Sequence, residues 1–131
     1  MKLKTKNLLT LAELSPKEFV GLINDSIKLK KELKKNGNKP ILKNKTLAMI
    51  FQKPSTRTRV SFEVGMSELG GNAITLDKGF LQKIGNKTFE VRGETIEDTS
   101  KVLSSYVDII GTRFSNHDDL IRFSNFSSVP V

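Results

Sequence analysis

Cysteine is absent from the 131 residues, so disulfides, thiolate zinc sites and cysteine nucleophiles are excluded, and the chain suits a reducing compartment. A single histidine, His117, leaves little from which to build a metal site, and neither metal nor cofactor is expected. No apolar run approaches the roughly 20 residues of a membrane span, and Met1-Lys2-Leu3-Lys4 is not followed by the apolar stretch of a signal peptide. The expectation is a soluble, cytoplasmic protein with no membrane partner. Internal repeats and low-complexity tracts are also missing. With 37% hydrophobic residues, the length suits one domain with a real core and is too short for two ordinary ones.

What is plentiful is positive charge, and it is unevenly placed. The net charge is +8, yet residues 1–53 carry +9 and residues 54–131 carry −1. Most of the excess is the cluster Lys28, Lys30, Lys31, Lys34, Lys35, Lys39, Lys43 and Lys45, on and just after a helical pattern. Base-stacking aromatics are lacking within the cluster, so it reads as a solvated helix face and no nucleic-acid partner is expected.

Ser15-Pro16-Lys17-Glu18 is a helix start, with Ser15 as cap, Pro16 at the first helical position and Glu18 completing a capping box. Phe19, Leu22, Ile23, Ile27 and Leu33 follow at helical spacing until Asn36-Gly37, predicting an amphipathic helix that covers something. Thr46 to Phe51 is a nearly continuous apolar run, the pattern of a parallel strand buried on both faces. A second helix is predicted from about Thr56 to Leu69, with Val60, Val64, Met66 and Leu69 turned inward and Gly70-Gly71 ending it. Ala73 to Leu76 reads as a second strand. Residues 77–94 show no period, hold three glycines and four basic residues, and read as a long loop.

Thr95 caps a third helix, predicted to run to about Val107 on a stripe of Ile96, Val102, Leu103, Tyr106 and Val107. Asp108 to Arg113 is another buried-strand pattern, a helix follows from Asn116 or His117 to Phe126, and Val129-Pro130-Val131 reads as the opening of one more strand. Strands alternating with helices predict an α/β fold, a parallel sheet of about four strands flanked by helices. In such sheets ligands sit beyond the carboxyl ends of the strands, which is where Ser55 to Arg59 and Thr112-Arg113 fall.

Behind the first strand, Phe51-Gln52-Lys53-Pro54-Ser55-Thr56-Arg57-Thr58-Arg59-Val60-Ser61-Phe62-Glu63 packs two arginines and three hydroxyls at a strand-to-helix junction. Free N–H groups of a first helical turn, hydroxyls and guanidinium forks together make an anion cradle. Ser55, Thr56, Arg57 and Thr58 supply more donors than capping needs. Arg59 and Glu63, spaced i, i+4, can equally be a surface pair.

This stretch resembles the carbamoyl-phosphate signature of the aspartate and ornithine carbamoyltransferases. The resemblance extends over essentially the whole chain, through Asn7-Leu8-Leu9-Thr10-Leu11, Leu69-Gly70-Gly71-Asn72, Arg92-Gly93-Glu94-Thr95-Ile96-Glu97-Asp98-Thr99, and Arg113 with His117-Asp118-Asp119-Leu120. Lys53 before Pro54 and the opening Asn-Leu-Leu-Thr-Leu are similar to the ornithine branch, where the aspartate branch tends to an acidic residue in place of the lysine. The resemblance implies the first domain of a two-domain fold, and transfer of a carbamoyl group from carbamoyl phosphate to the side-chain amine of L-ornithine in arginine metabolism. Ser55, Thr56, Arg57 and Thr58 would hold the phosphate, Arg113 would contact the same ligand from the other side, and Arg57, Thr58 and Arg113 would stabilise charge in the reaction. A homotrimer is implied for the full enzyme.

Two departures bear on that reading. Lys87-Thr88-Phe89-Glu90-Val91 stands where the family has a glutamine or serine and a Leu-Gly step, so Gln82 serves only in a rearranged loop, and Lys83 and Lys87 read as exposed. The family's His-Pro-x-Gln motif and amino-acid-binding domain have no counterpart in residues 1–131, so the expectation is a truncated carbamoyl-phosphate domain with an uncovered sheet edge and negligible turnover alone. His117, at a helix start, reads as a surface or capping residue, and Lys53 as a solvated charge outside the cradle. The aspartate branch, a non-catalytic anion-binding module and a salt-sensitive nucleic-acid binder stand as the alternatives.

Overall fold

The computed structural model describes residues 3–76 and 95–131. The expected loop, with Gln82, Lys83, Lys87 and Glu90, lies outside the described residues. After a 3₁₀ turn at Leu11–Glu13 come α1 (Pro16–Asn36), β1 (Thr46–Phe51), α2 (Thr56–Glu68), β2 (Asn72–Leu76), α3 (Ile96–Ser104), β3 (Ile109–Arg113) and α4 (His117–Phe126). The three strands form a parallel sheet in the order β2-β1-β3. No helix among the described residues is long and apolar enough to cross a membrane.

β1 is central because its side chains are apolar on both faces, as a strand covered on both sides requires. Ala48 and Ile50 join Ile96 of α3, Phe123 of α4, Val107 and Ile110 in one cluster. Leu47, Met49 and Phe51 point the other way and pack on Met66 of α2. Polar bonds then fasten both ends of β1 to β3. At the start, Lys45 Nζ lies 2.7 Å from Asp108 Oδ1, and the Thr46 N–H donates to Oδ2 at 2.8 Å. At the finish, the Gln52 N–H donates to the Arg113 carbonyl at 3.1 Å, and Gln52 Oε1 accepts the Ser115 N–H at 2.5 Å.

Four expectations need correction. The described sheet has three strands, not about four: Pro130's carbonyl accepts the Ile110 N–H at 2.9 Å beside β3, but Val131 turns to Asn7 and Leu8 and no ladder forms. The α1 stripe is not covered by described residues; Phe19, Ile23, Ile27 and Leu33 are all exposed. Val60 and Val64 of α2 face outward, because one helix laid along one strand buries a single narrow line, here Met66. α3 stops at Ser104, with Ser105 as its C-cap, and Val102 and Tyr106 are exposed because the face packed on α4 is made of small residues instead. Thr99, Ser100 and Ser104 are buried there; the Ser100 hydroxyl donates to the Phe123 carbonyl at 2.7 Å and the Ser104 hydroxyl to the Ser100 carbonyl at 2.6 Å.

Candidate functional site

β1 ends at Phe51, and Pro54 ensures that the chain leaves the sheet, since it has no N–H to offer a ladder. Ser55 is then the N-cap of α2, with φ −148° and ψ 74°, but its side chain makes no cap hydrogen bond. The other three helices are closed at this end. Ser15, Thr95 and Asn116 accept first-turn amides of α1, α3 and α4, and each first turn carries acidic residues, whereas that of α2 carries none. The first amide to find a partner is that of Arg59, bonded to the Ser55 carbonyl at 2.9 Å. The amides of Thr56, Arg57 and Thr58 have no acceptor among the described residues. Three free donors at the positive end of a helix dipole form an anion-binding arrangement.

Beside this helix start lies a cleft of about 410 Å³ lined by Phe51, Lys53, Pro54, Ser55, Thr56, Arg59 and Val60. Arg59 is held in place: its Nε donates to Glu63 Oε1 at 2.9 Å, and the same oxygen accepts the Thr75 hydroxyl of β2 at 2.9 Å. The Arg59 bond first, and the Thr75 bond second, hold the Glu63 carboxyl below the usual glutamate range. The surface-pair reading of Arg59 is thus seen, with Thr75 as a third member that spacing along a helix could not reveal.

The structure brings Ser55 and Thr56 together on the cleft. Arg57 lies with Thr56, Val60, Ser61 and Val64 along the adjoining outer groove of α2, exposed and without an ion pair among the described residues. Thr58 is exposed, its carbonyl accepting the Ser61 hydroxyl at 2.9 Å. Arg113 is the last residue of β3, in register with Phe51, so it stands exposed at the same sheet edge as the helix start. Neither Arg57 nor Arg113 lines the cleft itself. His117 opens α4 and is exposed. Lys53, expected from sequence as a solvated charge outside the cradle, is exposed and lines the cleft.

A parallel sheet with an uncapped helix start and its free amides at the carboxyl edge defines a class of α/β domains suited to anions. Residues 6–131 match the family described as aspartate/ornithine carbamoyltransferase, carbamoyl-P binding domain, and the chain belongs to that family. It is 48% identical over 131 residues to an ornithine carbamoyltransferase of Cenarchaeum symbiosum, covering all of this chain and 40% of that protein. The ornithine carbamoyltransferase of Pyrococcus furiosus superposes with a TM-score of 0.85 at 43% identity, over 96% of this chain and 38% of that one. The catalytic subunit of M. jannaschii aspartate transcarbamoylase superposes with a TM-score of 0.81 at 31% identity, over 96% of this chain and 39% of that one. The chain thus spans about 40% of the length of the curated relatives it matches.

Proposed function

We propose that this chain supplies the carbamoyl-phosphate half of an ornithine carbamoyltransferase. The observation that carries the reading is the uncapped start of α2, where the amides of Thr56, Arg57 and Thr58 meet no acceptor at the edge where ligands of parallel sheets bind. Ser55, Thr56, Arg57 and Thr58 hold the phosphate, and Arg113 approaches from the end of β3. Gln82 joins them only if its loop reaches the ligand.

The reaction is attack of the side-chain amine of ornithine on the carbamoyl carbon. A C–N bond forms, the C–O bond to phosphate breaks, phosphate leaves with the electron pair, and the amine loses a proton. The chain's share is to orient carbamoyl phosphate and to stabilise charge on the carbonyl oxygen and the leaving phosphate, for which Arg57, Thr58 and Arg113 carry the donors. Ornithine is bound mainly by groups outside these 131 residues, in a cytoplasmic homotrimer of arginine metabolism. Higher identity to ornithine than to aspartate enzymes supports the choice of acceptor.

Calorimetric titration of the chain with carbamoyl phosphate tests the reading. Saturable one-to-one binding that disappears in Arg57→Ala is expected; unchanged affinity in that variant would sink the assignment. Ornithine and aspartate, offered as acceptors to the enzyme from the same source, separate the two branches.

A further inference from the structure

The face that α2 turns to the sheet changes character along its length. Arg59, Glu63 and Met66, spaced i, i+4 and i+7, share that face, with Arg59 and Glu63 partly buried and Met66 buried. Met66 packs with Leu47, Met49 and Phe51 of β1, but it lies about 15 Å along the helix axis from Thr56. Nearer the cradle the contact with the sheet is polar. Glu63 Oε1 accepts from Arg59 Nε at 2.9 Å and from the Thr75 hydroxyl at 2.9 Å. Thr75 belongs to β2 and is in register with Met49 of β1, the strand that runs into the cradle. Arg59 in turn closes the first turn of α2, its N–H donating to the Ser55 carbonyl at 2.9 Å. One carboxylate oxygen thus joins the start of the helix to the sheet. Hydrogen bonds to an ionised group fix distance and direction, whereas an apolar contact tolerates sliding.

We propose that Glu63 is a positioning residue for anion binding: by joining Arg59 to Thr75 it fixes the first turn of α2, and with it the amides of Thr56, Arg57 and Thr58, where they meet the phosphate group of carbamoyl phosphate. The inference rests on the reading of the α2 start as a carbamoyl-phosphate site. Glu63 acts through Arg59 and does not itself hold the ligand. Charge and position then predict opposite signs. Charge alone predicts that removing a carboxylate beside the cradle strengthens anion binding. Positioning predicts weaker binding, because the amides are no longer pre-organised.

The test is calorimetric titration of the full 131-residue chain with carbamoyl phosphate at neutral pH. Glu63→Ala should weaken binding about fivefold, the scale of one lost hydrogen bond. Thr75→Val removes the donor from β2 without changing any charge, and should weaken binding in the same direction by a similar factor. Glu63→Gln keeps an oxygen that can accept both bonds, and should stay within about twofold of the parent. Circular dichroism melting establishes that each variant is folded at the titration temperature, so a lowered melting temperature alone does not change the affinity read there. If Glu63→Ala binds as tightly as the parent or more tightly, or if Thr75→Val binds equally well, the proposal falls while the site reading stands. If Glu63→Gln is as weak as Glu63→Ala, the proposal also falls, since geometry was kept. If the folded parent does not bind carbamoyl phosphate, the site reading falls and the role of Glu63 with it.

Discussion

Gln52 is bonded to Arg113 and to the residue two places beyond it: its N–H donates to the Arg113 carbonyl at 3.1 Å, and its Oε1 takes the Ser115 N–H at 2.5 Å. The exits of β1 and β3 are thereby tied just where the anion cradle begins and where Arg113 stands. Gln52→Ala keeps the backbone bond and loses the other. Exchange of the Ser115 amide should then quicken about fivefold, the factor for roughly 1 kcal/mol of hydrogen bond, and carbamoyl-phosphate affinity should fall severalfold. Amide exchange by NMR together with calorimetry reads both effects.

The two arginines of the motif should separate cleanly. Arg57 has no ion pair among the described residues, so Arg57→Ala should remove anion binding and leave the melting temperature unchanged. Arg59 links Glu63 and, through it, Thr75 of β2. Arg59→Ala should lower the melting temperature by a few degrees, because Glu63 loses the cation that holds it toward Thr75 and keeps the Thr75 hydroxyl bond alone. Equal melting temperatures for the two variants would contradict this division.

The sequence was most legible where one physical signal acted alone. The capping box at Ser15 and Glu18, the continuous apolar run at Thr46–Phe51 and the caps at Thr95 and Asn116 each have a local cause, and each element starts where that cause lies. The motif's place at the carboxyl edge of the sheet followed from the order of the elements. Burial was less legible. Val60, Val64 and Val102 are apolar yet exposed, while Ser100 and Ser104 are polar yet buried, because their hydroxyls find carbonyls in the α3–α4 contact. Periodicity records hydrophobicity and does not register a small hydroxyl that is satisfied inside. Lys53 was expected outside the cradle because chain spacing does not show which side chains share a cleft.

Gly70 ends α2 with φ 80°, and a Cβ there would lie 2.7 Å from the Cβ of Pro40. Gly37, at φ 70°, has open space around it. Gly37→Ala should therefore cost about 1 kcal/mol, the backbone penalty alone. Gly70→Ala adds a clash with a proline ring that cannot swing aside, and should cost about 2–3 kcal/mol. Urea denaturation of the pair gives the difference, and equal midpoints would show that Pro40 yields.

Ser104 is buried and serves three partners: the Ser100 carbonyl at 2.6 Å, the Ser127 hydroxyl at 3.0 Å and the Ser128 N–H at 3.2 Å. Ser105, next along the chain, is exposed, with one bond to the Val102 carbonyl at 2.7 Å. Ser104→Ala should cost about 1–3 kcal/mol, since partners are left unsatisfied in the interior, and Ser105→Ala less than about 0.5 kcal/mol. The same denaturation measurement distinguishes them.

Acid stability should depend visibly on Asp108. Its carboxyl is held below the usual aspartate range, first by the bond from Lys45 and then by the Thr46 amide, and it ties the start of β1 to that of β3. A carboxyl whose folded pKa is depressed contributes stability in full above its unfolded value, about 4, and loses it as pH falls through the folded value. Asp108→Asn should therefore be less stable than the parent at neutral pH, and the difference should shrink as the pH drops below about 4. Melting temperatures from pH 7 downward give the two curves. They should converge in acid, and parallel curves would mean that the Asp108 contacts contribute through packing and not through charge.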